Sequence, residues 1–137
     1  MDKKKLINVF EKSYRYETVD GEAPVYKENV SKISKKDKEF KGELFDGTRV
    51  YLVNGKWIRD NIDVAWLGGG HDQECDWIPK GEIWVEKTDD PSDAEKVLAH
   101  EIIEWIQMKF HKVKYEKAHD IANSAENILR KVDNKVK

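Results

Sequence analysis

The chain has 137 residues, the usual size of one domain, and we expect a single domain over residues 1–137. Hydrophobic residues make up 39% of it, which is enough for a core, and 25 basic and 27 acidic side chains nearly cancel to a net charge of −2. A nucleic-acid partner requires a basic excess that neutralises phosphates, so this balance argues against one. No long apolar run or signal peptide is seen, so we expect a cytoplasmic protein without a membrane span.

Residues 1–45 carry few clear signals. Residues 3–15 fit a helix, although residues 14–19 fit a strand equally well, and the polar, Lys-rich residues 20–43 predict no element. The lysines of residues 3–5 and 35–38 leave a phosphate contact open, with solvated surface as the simpler interpretation.

Residues 46–88 are rich in strand signals. Residues 48–53 are β-branched and aromatic and predict a strand. The Asn54-Gly55 pair lies between this run and residues 56–59, a pattern that predicts a tight hairpin. Residues 64–67 predict a further short strand, the glycines of residues 68–70 a loop, and residues 82–87 a last strand.

The pattern changes to a helical period after residue 89. An acidic first turn with Pro91 predicts a helix start, with helix over residues 94 to about 112 and a second helix from about 114 to 133. Strands followed by helices predict an α+β fold, a small antiparallel or mixed sheet with two C-terminal helices. The chemistry is concentrated in this two-helix layer, residues 91–134.

Histidines and glutamates on the two helices form a candidate metal site. His100 and Glu104 lie four residues apart and so share one helix face. If the helices form an antiparallel hairpin, His119 on the second helix converges with them. Two imidazoles and a carboxylate are the ligand set of a catalytic zinc ion, and manganese or iron would also fit. A plain polar helix face is the alternative.

Two residues lie beside this set on the second helix. Glu126, seven residues after His119, would serve as a fourth ligand or would hydrogen-bond a ligand; otherwise it is a surface charge. Tyr115 lies one turn before His119 and would take a similar supporting position.

The string His100-Glu101-Ile102-Ile103-Glu104 resembles the zincin-type site, in which a helix carries His-Glu-x-x-His. Here a glutamate replaces the second histidine. The chain also resembles a group of small uncharacterised proteins, many from phages and mobile elements, with a glycine–histidine loop, an IP-x-x-EIW strand and HE-x-x-E and AH-x-x-A helices. The matching segments are residues 69–71, 78–84, 100–104 and 118–122, so the resemblance covers about residues 48–126.

The resemblance implies a metal-dependent hydrolase for peptide or amide bonds, with His100, Glu104 and His119 as zinc ligands. Glu101 would be the general base that takes a proton from water on the metal. His71, on the glycine-rich loop, would stabilise an oxyanion, oriented by Glu74 or Asp76. An edge strand would pair with an extended peptide or protein substrate, and the residues in place for it are Glu82, Ile83, Trp84 and Val85.

Other interpretations stay open at this point. The chain could be a non-catalytic adaptor or inhibitor that binds a host protein through that strand and the tryptophans, with a structural metal or none. A nucleic-acid-associated protein is a third interpretation. Cys75 could be a nucleophile or metal ligand, but a half-buried bystander is the simpler interpretation for a lone cysteine. The five tryptophans are interpreted as core residues or cleft walls.

Overall fold

The computed structural model describes residues 24–136. The predicted helix of residues 3–15, the alternative strand of residues 14–19 and the lysines of residues 3–5 lie outside the described residues. None of the helices within the described range is long and apolar enough to cross a membrane.

The described strands form one mixed sheet in the order β1-β2-β4-β3. β1 (Lys38–Glu43) is antiparallel to β2 (Arg49–Val53), β2 is parallel to β4 (Glu82–Glu86), and β4 is antiparallel to β3 (Gly69–His71). The helices are α1 (Gly55–Asn61), α2 (Pro91–Lys109) and α3 (Tyr115–Val136), and a 3-10 helix spans Lys27–Lys32. The α+β architecture, with a mixed sheet before two long C-terminal helices, is confirmed.

Alternation along β4 builds a hydrophobic core on each face of the sheet. Trp84 packs with α1 and the loop that follows it, whereas Ile83 and Val85 lie on the opposite face, which α2 covers. In the register of β3 and β4, His71 is the partner of Ile83 and therefore shares the α2 face. The sheet thus brings a histidine against the helix that carries the other polar residues.

The hairpin predicted at Asn54-Gly55 is wrong, because Asn54 caps α1. Its side-chain oxygen accepts a hydrogen bond from the Trp57 N–H at 3.2 Å. Gly55 opens the helix where the Glu86 side chain packs so closely that a β-carbon would overlap it. Asparagine caps helices as readily as it forms turns, so the local pattern did not separate the two outcomes.

The strand predicted at residues 64–67 is absent: residues 64–65 form a turn, and residues 66–67 belong to no helix or strand. The Asp63 carboxylate accepts the Ala65 N–H at 3.0 Å, and the Asp63 carbonyl accepts the Trp66 N–H at 3.1 Å. An aspartate side chain competes in this way with sheet pairing. Gly68, at a φ of 77°, leads directly into β3, so the predicted glycine loop is wrong for Gly69 and Gly70.

The strand predicted at residues 82–87 is confirmed as β4, but it is not an edge strand. β2 pairs with one side of it and β3 with the other. Its central residues are fully buried, which is typical of an internal strand. The proposed contact with an extended substrate is therefore wrong for Glu82, Ile83, Trp84 and Val85, and the strand edge nearest α2 belongs to β3.

The two C-terminal helices are confirmed. The Asp90 side chain caps α2 by accepting the Ser92 N–H at 2.9 Å, with Pro91 at the first helical position. After α2, Lys112 adopts a φ of 56° and the chain turns back into α3. α3 packs antiparallel on α2, as the ion pair between Lys96 and Asp133 shows.

Candidate metal centre

A cleft of about 290 Å³ lies between α2, α3 and the start of β3. Its walls include Val97 and Glu101 from α2, His119 from α3, and Leu67 and Gly69 from the segment that forms β3. The helix hairpin therefore places the polar residues of both helices at one opening to solvent.

His100, Glu104 and His119 converge in this cleft. Glu104 Oε2 lies 3.2 Å from His100 Nε2 and 2.9 Å from His119 Nδ1. One potential ligand atom from each residue lies within 4.8 Å of the other two. His100 and Glu104 are buried, while the His119 side chain is 39% exposed. The structure thus brings together the three residues that the sequence singled out as a ligand set.

His71 is part of the same network, but not as a loop residue. Its side chain is fully buried on β3, and its Nε2 lies 2.8 Å from Glu104 Oε1. Its Nδ1 accepts the Gln73 backbone N–H at 3.2 Å. A neutral imidazole that accepts at Nδ1 carries its proton on Nε2, so His71 donates to Glu104. The predicted position on a loop that swings over the metal is wrong.

The two carboxylate oxygens of Glu104 have different partners. Oε1 accepts from His71, while Oε2 faces His100 and His119. Burial alone would raise the pKa of Glu104, but hydrogen bonds from His100, His71 and His119 outweigh it and lower the pKa to about 2. Glu104 is therefore an ionised carboxylate with one oxygen directed at the two histidines.

Glu101 lies beside this carboxylate without a partner of its own. Its side chain is 7% exposed, lines the cleft, and forms no hydrogen bond or ion pair within the described residues. Burial, followed by repulsion from Glu104, raises the pKa of Glu101 to about 8. A second group of ligand-type atoms, from His71, Glu101 and Glu104, also lies within 4.8 Å, but His71 Nε2 is occupied as a donor.

The glycines of the predicted loop explain how Glu101 fits. A β-carbon on Gly69 would lie 3.0 Å from Glu101 Cγ and 3.1 Å from the Trp84 carbonyl oxygen. Gly70 gives similar room on the opposite face, where a β-carbon would lie 2.9 Å from Ile78 Cδ1. The glycine run therefore lets β3 approach α2 and the aromatic core at close range.

Glu126 supports His100 rather than the other histidines. Its Oε1 lies 3.0 Å from His100 Nδ1, but that nitrogen has no aligned hydrogen-bond partner. The other Glu126 oxygen accepts from Arg130 Nε at 2.9 Å. The hydrogen bond with Glu104 is the largest influence that raises the pKa of His100 above its usual value.

The donor set fits a divalent metal ion. Tetrahedral ligands at about 2.1 Å from an ion lie about 3.4 Å from each other. The separations of 3.2 and 2.9 Å between Glu104 Oε2 and the two histidine nitrogens are close to that value. A cation there would take the place of protons between the imidazoles and the carboxylate. The buried His/Glu cluster can therefore hold a metal, and the donor types leave its identity open.

Tyr115 stands at the open side of the cluster. Its ring stacks on His119 with centroids 5.3 Å apart, and its hydroxyl lies 3.5 Å from His119 Nδ1. Burial and repulsion from Glu104 raise the pKa of Tyr115 to about 12. Tyr115 is thus a protonated hydroxyl at the mouth of the cleft.

Glu74 and Asp76, the two acids considered as partners of His71, take different positions. Glu74 lines the cleft, where burial and repulsion from Glu104 raise its pKa. Asp76 is exposed and pairs with Lys27 at 2.7 Å. Neither carboxylate forms a hydrogen bond with the His71 ring, which is held by Glu104 and the Gln73 backbone.

Cys75 and the tryptophans take the simpler places predicted for them. Burial raises the pKa of the Cys75 thiol to about 12, and the side chain packs against a hydrophobic core. It belongs to neither group of potential metal ligands. The buried tryptophans of the described chain are Trp66, Trp77, Trp84 and Trp105, and Trp57 is half-buried.

Comparison with models of known families, with curated proteins and with solved structures finds no match for this chain. Its function is therefore argued from the buried His/Glu cluster and the cleft around it.

Proposed function

We propose that this protein is a metal-dependent hydrolase that cleaves peptide or amide bonds. The observation that carries the proposal is the convergence of His100, Glu104 and His119 at an open cleft, beside a buried glutamate without a partner. A polar surface face does not require such burial, and a purely structural site does not require an opening to solvent.

His100, Glu104 and His119 would hold the ion, with zinc as the first expectation and manganese or iron as alternatives. A divalent ion bound there supplies Lewis-acid chemistry, which activates water and polarises a carbonyl group. His71 fixes the Glu104 carboxylate from behind, and Glu126 approaches the far nitrogen of His100 at 3.0 Å.

Glu101 is the proposed general base. It takes a proton from a water molecule in the cleft as the water oxygen bonds to the substrate carbonyl carbon. The same proton then passes to the leaving nitrogen as the carbon–nitrogen bond breaks, so that Glu101 returns to its starting state. This role needs a carboxyl group that no other side chain occupies, and Glu101 has no hydrogen-bond or ion-pair partner among the described residues. Because its pKa is raised to about 8, the carboxylate form that acts as the base prevails at alkaline pH, and a cation held by the neighbouring ligands would extend that form to lower pH.

Tyr115 replaces His71 as the proposed donor to the developing oxyanion. His71 is fully buried and committed to Glu104, whereas the Tyr115 hydroxyl lies at the cleft mouth in a long contact of 3.5 Å. A preorganised donor of this kind stabilises negative charge on the carbonyl oxygen. An extended substrate would lie along β3, because that strand forms the sheet edge beside the cleft.

Metal content tests the site directly. Protein purified without a metal-binding tag should contain about one equivalent of metal by inductively coupled plasma mass spectrometry, since three ligands and a water complete a catalytic site. The His100→Ala/His119→Ala variant should contain none. His111→Ala is the matched control, because His111 is exposed and belongs to neither ligand group. Equal metal in all three proteins would contradict the proposal.

Two further variants separate catalysis from metal binding. Glu101→Gln and Tyr115→Phe should keep the metal, since neither residue belongs to the ligand set. Turnover of a cleaved peptide should fall at least about a hundredfold in Glu101→Gln and by a smaller factor in Tyr115→Phe. Full activity of Glu101→Gln would show that the base is another group.

A binding module is the second candidate. The observation that favours it is the exposed apolar strip at the end of α3, where Ile128 is 62% and Val132 is 54% exposed. The contact surface first expected for an adaptor is not available, because β4 is internal and most of the described tryptophans are buried. In an adaptor, Glu101→Gln would change neither metal content nor partner affinity.

A further inference from the structure

We propose that the cleft selects substrates that carry a cationic group beside the scissile bond, and that Glu74 is the residue that recognises this group. The inference rests on the proposed hydrolase function and names its substrate class. A lysine or arginine side chain, or the free amino group of a peptide, has the required chemistry.

The charge balance of the cleft favours a cationic group. Four glutamates line it, and two of them have cationic or imidazole partners: Glu104 faces three histidines, and Glu126 pairs with Arg130. The Glu74 carboxylate has no hydrogen-bond or ion-pair partner within the described residues. Glu74 is an exposed residue that also lines the cleft, so a ligand in the cleft can reach its side chain without displacing a protein group.

A second residue of the cleft, Glu101, also faces the space for a ligand. Glu101 is more than nine-tenths buried, lines the same cleft and has no partner among the described residues, so its carboxyl group is available to a ligand in the cleft. A buried polar group without a partner is costly unless a ligand or water satisfies it. The reacting group of a substrate therefore sits between Glu101 and the ligand cluster, within the electrostatic field of Glu74.

The two ends of the cleft differ in chemistry. β3 and α2 run side by side, with Leu67 and Gly68 near Val97 at one end and His71 against Glu104 at the other. Glu74 belongs to the turn after His71, since its backbone N–H donates to the His71 carbonyl at 3.3 Å. The cleft thus has an apolar lip at Leu67 and an acidic end at Glu74, which orients a substrate that has one cationic side.

Selectivity can be measured with three pools of internally quenched peptides that differ only in one fixed residue: lysine, glutamine or glutamate. The metal-loaded wild type should cleave the lysine pool with a kcat/KM about three- to tenfold above that of the glutamine pool, as expected for one partly exposed charge pair. Glu74→Gln should bring this ratio close to one. Glu74→Lys should shift the preference to the glutamate pool.

Asp76→Asn is the matched control, because this substitution removes one negative charge at a position two residues from Glu74 and outside the cleft. It should leave the ratio unchanged, and metal content should be equal in all variants. Equal cleavage of the three pools, or a lysine preference that survives Glu74→Gln, would overturn the role of Glu74 while leaving the hydrolase intact. If metal is bound and no pool is cleaved, the proposed hydrolase function itself is wrong, and this inference fails with it.

Discussion

At the scale of single residues, Glu104 determines how the cluster is built. A histidine in this position would offer one ring nitrogen, whereas the carboxylate offers two oxygens and uses both. The second oxygen needs a buried donor, and His71 supplies it from β3. Glu104 and His71 therefore form a unit, in which the donor orients the carboxylate ligand.

This unit predicts the effect of changes at His71. His71→Leu keeps most of the side-chain volume but removes the donor to Glu104, so the affinity for zinc should fall about ten- to a hundredfold. His71→Gln retains an N–H donor and should lie closer to wild type. Competition against a chromogenic chelator measures the affinity, and circular dichroism checks the fold. Wild-type affinity in His71→Leu would show that Glu104 needs no donor.

The sequence anticipated part of this residue-scale picture. The positions of His100 and Glu104 on one face follow from the helical period, and a short loop brings His119 opposite them. The partner of His71 does not follow from its own neighbourhood. It depends on the pairing of β3 with β4, and three glycines give no alternation that marks a strand.

At the scale of elements, a pair of charges joins α1 to the sheet. Arg59 donates from both terminal nitrogens to the Glu86 carboxylate, at 3.1 and 2.9 Å. The Gly68 N–H donates to the same carboxylate at 3.1 Å, immediately before β3 begins. Glu86 thereby connects α1, β4 and the segment that leads to the candidate site, and Gly55 leaves room for it.

This connection predicts a dependence of stability on pH. The hydrogen bond from Arg59 lowers the pKa of Glu86 below 4.5. The stabilisation that this ion pair gives the folded state is therefore fully present above pH 4.5, and it is lost as the pH falls through the folded-state pKa of Glu86. Arg59→Met should lower the free energy of unfolding by about 1–2 kcal/mol at pH 7. The gap to wild type should narrow as the pH falls below 4.5 and through the folded-state pKa of Glu86.

Urea denaturation at several pH values measures this gap. Lys56→Met is a suitable control, since Lys56 forms an exposed pair with Asp60 on the same helix. Its effect should be small at every pH. A gap for Arg59→Met that stays constant down to pH 3 would mean that packing of the arginine stem, and not its charge, supports the fold.

Local sequence patterns predict some of the helices and strands and fail for others. The C-terminal helices were predictable because their caps and their period agree. Asn54-Gly55 was not, because asparagine fits a helix cap and a turn equally well, and the close approach of Glu86 to Gly55 is a tertiary contact. An internal strand and an edge strand of five residues have the same local pattern, so the position of β4 in the sheet needed the full topology.

At the scale of the whole molecule, α3 is attached through α2 and not through the sheet. Its packing face is formed by Ala118 and Ala122, which are fully buried, while larger apolar residues further along remain exposed. Alanines bury little area, so the polar contacts between the helices carry much of the attachment. His119 with Glu104 and Lys96 with Asp133 are two of these contacts.

The candidate metal site therefore has a mechanical consequence, since an ion held by residues of α2 and α3 would tie the outer helix to the domain. Removal of the ion by a chelator should raise the hydrogen-exchange rates of α3 amides near His119. The increase should reach about a hundredfold if the metal had been present at a hundred times its Kd. Amides of β2 and β4 should change less, because the two cores remain in place.

The His100→Ala/His119→Ala variant should show no response to chelator, and His111→Ala should respond as wild type does. Equal acceleration in helix and sheet would mean that the ion stabilises the domain as one unit, and no acceleration would mean that α3 is held without it.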